Sequence, residues 1–197
     1  MLRYTLLISL ACTASSDSDS GDTANLSAQP TGEMFAAHAE DGLTVEQVEP
    51  ARYLGLWYEI ATTPSQQQQW CTGTTAEYSL IDAQTIGVLN RCFVGSLDGN
   101  LNQIQGTARP IDDTYARLLV DLGVGFEAPY QVIELDGSVG DEPYAYAAVS
   151  SMGSQIWILS RTPQIDTVLR DAIWTRLDER GIDIDNLIDT EQPIVDD

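Results

Sequence analysis

Of the residue types that most often serve as general bases or activated nucleophiles near neutral pH, this 197-residue chain has one histidine, three cysteines and no lysine. The single histidine is His38, in an acidic, Ser-rich stretch ahead of the first apolar periodicity, and the nine other basic residues are all arginine. Histidine triads, histidine-ligated metals and histidine general bases are therefore excluded. Glu59 sits within an apolar strand pattern with no second titrating residue near it, so it reads as a structural carboxylate sooner than as a catalytic acid. No metal-ligand spacing and no cofactor motif is present. Three cysteines remain. Cys71 and Cys92 flank a hairpin that turns at Asp82-Ala83, which brings them within a couple of residues of register. In an exported chain such a pair most simply forms a disulfide, closing a loop of about 20 residues worth roughly 3 kcal/mol. The alternative is a reactive thiol inside the fold. A formal charge of −21 makes nucleic acid and anionic lipid headgroups poor partners.

The elements that position these residues are mostly strands. Turn signals recur every 8–14 residues and divide the chain into strands near 55–63, 74–81, 85–94, 101–109, 114–122, 129–136, 143–150 and 155–160. This is the pattern of an antiparallel barrel or sandwich. One helix follows, with Thr162-Pro163 as N-cap and first-turn proline. Its stripe is Ile165, Val168, Leu169, Ala172, Ile173, Arg176 and Leu177. Gly181 ends it as a C′ residue, and 182–188 can add a last short strand.

Two segments carry a family resemblance. Gly55-Leu56-Trp57-Tyr58-Glu59-Ile60-Ala61 and Trp157-Ile158-Leu159-Ser160-Arg161-Thr162-Pro163 resemble the signature segments of the lipocalins, in particular the branch with the bacterial outer-membrane lipocalins and apolipoprotein D. Ala76 to Leu80, Val88 to Asn90 and Asn102 to Ala108 extend the resemblance. A third signature departs from the family: Leu135-Asp136 runs into a Gly-rich acidic loop, 136–143, with Tyr144 standing for the usual aromatic. The resemblance implies an all-β fold, an eight-stranded antiparallel up-and-down barrel with one C-terminal α-helix packed outside. It also implies that Gly55, Trp57 and Arg161 seal the closed end, where a guanidinium suits an indole face and backbone carbonyls.

By the same resemblance Tyr78, Asn90 and Trp157 face a ligand. Strand alternation adds Ala76, Ile86 and Val88 beside Tyr78 and Asn90, Leu159 beside Trp157, and Glu59 and Ala61 on the face of Trp57. The expected site is Tyr78, Asn90, Trp157, Glu59, Ala61 and Val88, an apolar cup with a few polar handles.

At the N-terminus, Met1-Leu2-Arg3 and an apolar run to Ala11 form an export signal too short to span a bilayer. Leu10-Ala11-Cys12 resembles the lipobox of bacterial lipoproteins, which makes Cys12 the lipidated residue. Thr13 after it favours the outer membrane. Residues 12–44 read as a disordered acidic Ser/Asp-rich tether, 45–193 as the lipocalin domain and 194–197 as a tail.

The expected function is binding, transport or storage of a fatty acid, lysophospholipid or similar lipid in the bacterial envelope, without enzymatic activity. The expected partners are that lipid and a membrane reached through Cys12, with a homodimer left open. An isomerase on the same barrel, or a filled barrel acting through its surface, are the alternatives.

Overall fold

The computed structural model describes residues 43–66 and 68–194. The export signal, Cys12, nearly all of the tether and the last three residues lie outside them.

A short helix, α1 (Pro50–Tyr53), with proline in its first turn, leads into the first of eight long antiparallel strands. These are β1 (Gly55–Thr62), β2 (Cys71–Asp82), β3 (Thr85–Val94), β4 (Leu101–Pro110), β5 (Arg117–Asp121), β6 (Glu127–Leu135), β7 (Tyr146–Ser151) and β8 (Gln155–Ser160). Each pairs with its neighbour in sequence, and β1 pairs with both β8 and β2, which closes the barrel. The helix α2 (Thr167–Glu179) follows, then a two-residue strand β9 (Ile188–Asp189) on the free edge of β1 beyond Tyr58.

The burial of each strand follows from what covers its outer face. β3 and β4 meet solvent outside, and their residues alternate between covered and open. β7 and β8 lie under α2 and are buried along their whole length. That is why 147–149 and 156–159 are continuous apolar runs. Two apolar clusters result: an inner one around Trp57, Val88, Tyr130, Val149 and Trp157, and an outer one of Ile60, Ala61, Ile133, Ile158, Ile173 and Leu177 between barrel and helix.

The helix differs from its expected bounds. Its N-cap is Asp166, whose carboxylate accepts from the Leu169 amide at 2.8 Å, while Thr162 and Pro163 lie in a bend before it. The Thr162 hydroxyl donates to the Gln164 carbonyl within that bend. The buried stripe runs at i, i+4 through Leu169, Ile173 and Leu177, which leaves Val168 78 % exposed at its edge. Gly181, at φ +73°, ends the helix as expected. The Ile182 and Gly181 amides donate to the Leu177 and Asp178 carbonyls, the Schellman pattern.

The closed end is organised by Arg161. Its guanidinium carbon lies 3.7 Å from the centroid of the fully buried Trp57 ring. Its nitrogens donate to the carbonyls of Leu56 (2.7 Å), Arg52 (2.9 Å), Leu54 (2.9 Å), Tyr144 (3.1 Å) and Tyr53 (3.2 Å). The Trp57 indole N–H donates to the Tyr53 carbonyl at 2.8 Å. Gly55 has φ +98°, a backbone conformation that favours glycine. Arg52 covers the other side. It donates to the Glu142 and Ser138 carbonyls and lies 4.0 Å from the centroid of the Tyr144 ring. The acidic 136–143 loop is thereby strapped across the base, and Tyr144 holds an aromatic place there.

Arg161→Ala removes five carbonyl partners and the cation over Trp57. An expected loss on the order of 3 kcal/mol is measurable as a lowered urea midpoint. An unchanged midpoint would show that the closed end holds without it.

Candidate ligand-binding site

Alternation along β3 turns Ile86, Val88, Asn90 and Cys92 into the barrel, and the ladder sets Trp57, Ala76, Asn90 and Ile104 side by side across β1 to β4. Tyr78 lies opposite Val88 one step nearer the base. Three tyrosines meet inside. The Tyr130 hydroxyl is hydrogen-bonded to those of Tyr53 (2.7 Å) and Tyr78 (3.1 Å), and the Tyr78 and Tyr130 rings meet edge to face.

These rings divide the interior. A basal cavity lies under α1, lined by Val48, Tyr53, Ile86, Leu118 and Val132 among others. A mouth-side cavity is lined by Glu59, Gln68, Thr74, Asn90, Trp157 and Leu159 among others, and Tyr78 and Tyr130 border both. Counted out to solvent they hold about 440 and 470 Å³ of empty space. Within the walls this leaves room for about one water in the basal cavity and about three in the mouth-side one. A larger ligand must displace side chains, and those at the mouth are held by specific bonds.

Gln68, in the β1–β2 loop, is the main one. Its amide nitrogen donates to Glu59 Oε2 at 3.0 Å and its carbonyl accepts from the Trp157 indole N–H at 3.2 Å. The C-terminal segment supplies the rest. Thr190 donates to Glu59 Oε1 at 2.6 Å. β1 and β2 stop pairing at Tyr58 and Thr75, and beyond that point the Gln192 amide bridges the Glu59 and Thr74 carbonyls, both at 2.8 Å. Burial pushes the Glu59 carboxyl above its ordinary value, and the bonds from Thr190 and Gln68 oppose that shift. The Asn90 Oδ1 and Thr74 Oγ1 atoms, both buried on the cavity wall, have no partner.

The expected site residues divide accordingly. Glu59, Tyr78, Asn90 and Trp157 converge on the mouth-side cavity. Val88 packs in the inner cluster but is not part of that wall. Ala61 belongs elsewhere, which corrects the expectation from alternation. Glu59 pairs with Leu159 but Ala61 pairs with Ile158, so Ile60 is the extra residue of a β-bulge. The bulge reverses the parity and puts Ile60 and Ala61 beneath α2.

Cys71 and Cys92 are disulfide-bonded, with Cα atoms 5.4 Å apart, and both line the mouth-side cavity. A paired sulfur is no nucleophile. Among the described residues no cluster of His, Cys, Asp or Glu could hold a metal.

The sequence reading overlooked Tyr53, Tyr130, Thr74, Gln68, Thr190 and Gln192 as site residues. Alternation of Ala128, Tyr130 and Val132 along β6 would have found Tyr130. The last three come from a loop and from the chain end, where no periodicity points to them.

Burial pushes Tyr78 up from the ordinary value of 10.0 to about 12, with the Tyr130 bond and the Arg161 charge opposing it. Desolvation raises Tyr53 and Tyr130 still more clearly. The folded protein holds these phenol protons more tightly than the unfolded chain does. Their contribution to stability is complete below about pH 10; that of Tyr78 is lost as pH rises through about 12, and those of Tyr53 and Tyr130 persist further into the alkaline range. Absorbance titration at 295 nm should show these phenols lagging the exposed tyrosines until alkaline unfolding releases them. Titration of all eight together near pH 10 would contradict a dry interior.

Residues 48–192 match the family model described as a lipocalin-like domain. A lipocalin of Acanthamoeba polyphaga mimivirus is 36 % identical over 156 residues, covering 75 % of this chain and 87 % of that protein. The outer membrane lipoprotein Blc of Vibrio cholerae is 33 % identical over 150 residues, covering 75 % and 85 %. Apolipoprotein D of Macaca fascicularis is 32 % identical over 156 residues, covering 75 % and 78 %. The crystal structure of lobster apocrustacyanin superposes with a TM-score of 0.59 at 20 % identity, covering 79 % of this chain and 94 % of that one, a likeness of fold. The barrel closed by β1, the Trp57–Arg161 seal, the external helix and these matches agree: the chain belongs to the lipocalin family.

Proposed function

We propose that the mouth-side cavity binds a small hydrophobic ligand, an acyl-chain lipid, and that the protein carries or stores it without chemical change. The observation that carries this reading is the composition of the wall. Ala76, Val149, Trp157 and Leu159 offer apolar surface, and Glu59, Tyr78 and Asn90 interrupt it at a few points. Such walls suit amphipathic molecules, and burial of the chain at about 25 cal/mol per Å² supplies the drive. Entry must release Gln68 from Glu59 and Trp157, so binding couples to movement of the β1–β2 loop.

A second reading has one observation in its favour. The Tyr53–Tyr130–Tyr78 cluster fills the middle of the barrel, as in a barrel that acts only through its surface. Titration of delipidated protein with fatty acids, lysophospholipids and monoacylglycerols of several chain lengths separates the two. Saturable quenching of tryptophan fluorescence, diminished in Trp157→Phe, is expected for the carrier. No saturable binding across the panel would leave the filled barrel.

We further propose export and lipid anchoring at Cys12 to the outer membrane of a bacterial envelope. The Leu10-Ala11-Cys12 sequence and the relatives named as outer membrane lipoproteins support this. Family membership alone names no compartment, since relatives include viral and primate proteins. In a bacterial host the wild type should sediment with membranes and Cys12→Ser should be soluble or unprocessed. Equal membrane recovery of both would refute the anchor.

A further inference from the structure

We infer that the mouth-side cavity selects amphiphiles whose headgroup is uncharged and carries O–H or N–H donors, and discriminates against carboxylates and phosphates. This rests on the reading of that cavity as a lipid site and narrows it.

The first ground is where the cations are. An anionic headgroup taken out of water needs a cation or a set of donors to replace its hydration. The chain has no lysine, and of its nine arginines only Arg3 lies outside the described residues. Arg52 and Arg161 are spent on carbonyls at the closed end. Arg91 pairs with Glu77, Arg109 with Glu127, Arg117 with Asp112 and Arg170 with Asp189, while Arg176 and Arg180 share Glu134. None of them lines the cavity. The one carboxylate on the wall is Glu59, buried there in a protein of net charge −21. A second carboxylate or a phosphate beside it would meet repulsion with no counter-charge.

The second ground is what the wall leaves open. Both Glu59 oxygens are occupied, one by Thr190 and one by Gln68. Among the described residues three buried side-chain atoms have no partner: Gln192 Oε1, whose residue is not part of this wall, and Asn90 Oδ1 and Thr74 Oγ1, on residues 6 % and 9 % exposed, which both line this cavity. A buried amide oxygen without a partner calls for a donor. Turned over, the Asn90 amide would present N–H instead. A hydroxyl or amide headgroup satisfies either orientation, because it both donates and accepts. A carboxylate satisfies only one.

The test uses purified, delipidated full-length protein at pH 8 and reads tryptophan fluorescence. The probes are 1-decanoylglycerol, decanamide, decanoate and decanoyl lysophosphatidate, short enough to stay monomeric and to leave the tyrosine partition in place. At least tenfold tighter binding of the two uncharged probes than of the two anions is expected. Asn90→Leu should bring that ratio below threefold, mainly by weakening the uncharged pair. Decanoate or lysophosphatidate binding as tightly as the uncharged probes overturns the headgroup assignment and leaves the lipid site standing. Saturable binding of none of the four removes the lipid site and this inference with it. The wild-type comparison decides by itself, whatever the folding of the Asn90 variant.

Discussion

A barrel made from one sheet must bring its first strand back to its last, and in this protein the guanidinium of Arg161 secures that closure at the base. It follows β8 directly, stacks on Trp57 of β1 and collects the carbonyls of Arg52, Tyr53, Leu54 and Leu56. Those carbonyls belong to α1 and the first residues of β1, which cannot pair with one another while the chain turns into the barrel. One planar cation with several donors satisfies them together. With the base held, Tyr53 is fixed beneath the interior and can meet Tyr130, and the division of the barrel follows from that.

The opposite end uses weaker and more separable contacts. β1 leaves β2 after Tyr58, and the opening is filled by residues from the end of the chain, Thr190 and Gln192, and by Gln68 of the loop. All three converge on Glu59, by its carboxylate or its carbonyl. Only the disulfide between Cys71 and Cys92 pins this end covalently. A firmly tied base and a mouth closed by side-chain hydrogen bonds around one carboxylate is a division of stability that suits the proposed carrier, which must open at one end.

The same arrangement ties composition to the character of the cup. Thirty acidic residues and nine basic ones leave every described arginine with an acidic or carbonyl partner on the outer surface or at the base. The interior is therefore without cations, and its polar groups are phenols, amides, hydroxyls and one carboxylate raised in pKa by burial. Surface charge and pocket chemistry are linked here through scarcity of one residue type.

Strands β3 and β8 have the bounds read from periodicity, a short-range pattern, whereas Gly55, Trp57 and Arg161 meet as the family resemblance, not the local pattern, implied. Cys71 and Cys92 were close in the hairpin register and are bonded. Ala61 marks the limit: a single bulge at Ile60 in the pairing of β1 with β8 reverses the strand's parity, and alternation along β1 alone does not show where that extra residue falls. The helix start moved for a similar reason, since two candidate caps compete and Asp166 has the geometry. What the sequence by itself determined is the container: strand alternation, turns, the seal and the absence of histidine and lysine chemistry. Only the tertiary structure decided how the container is divided and shut. The partners in those contacts, Tyr53 with Tyr130 and Glu59 with Gln68 and Thr190, include pairs more than seventy and more than a hundred residues apart, and no local pattern encodes a contact across such a span.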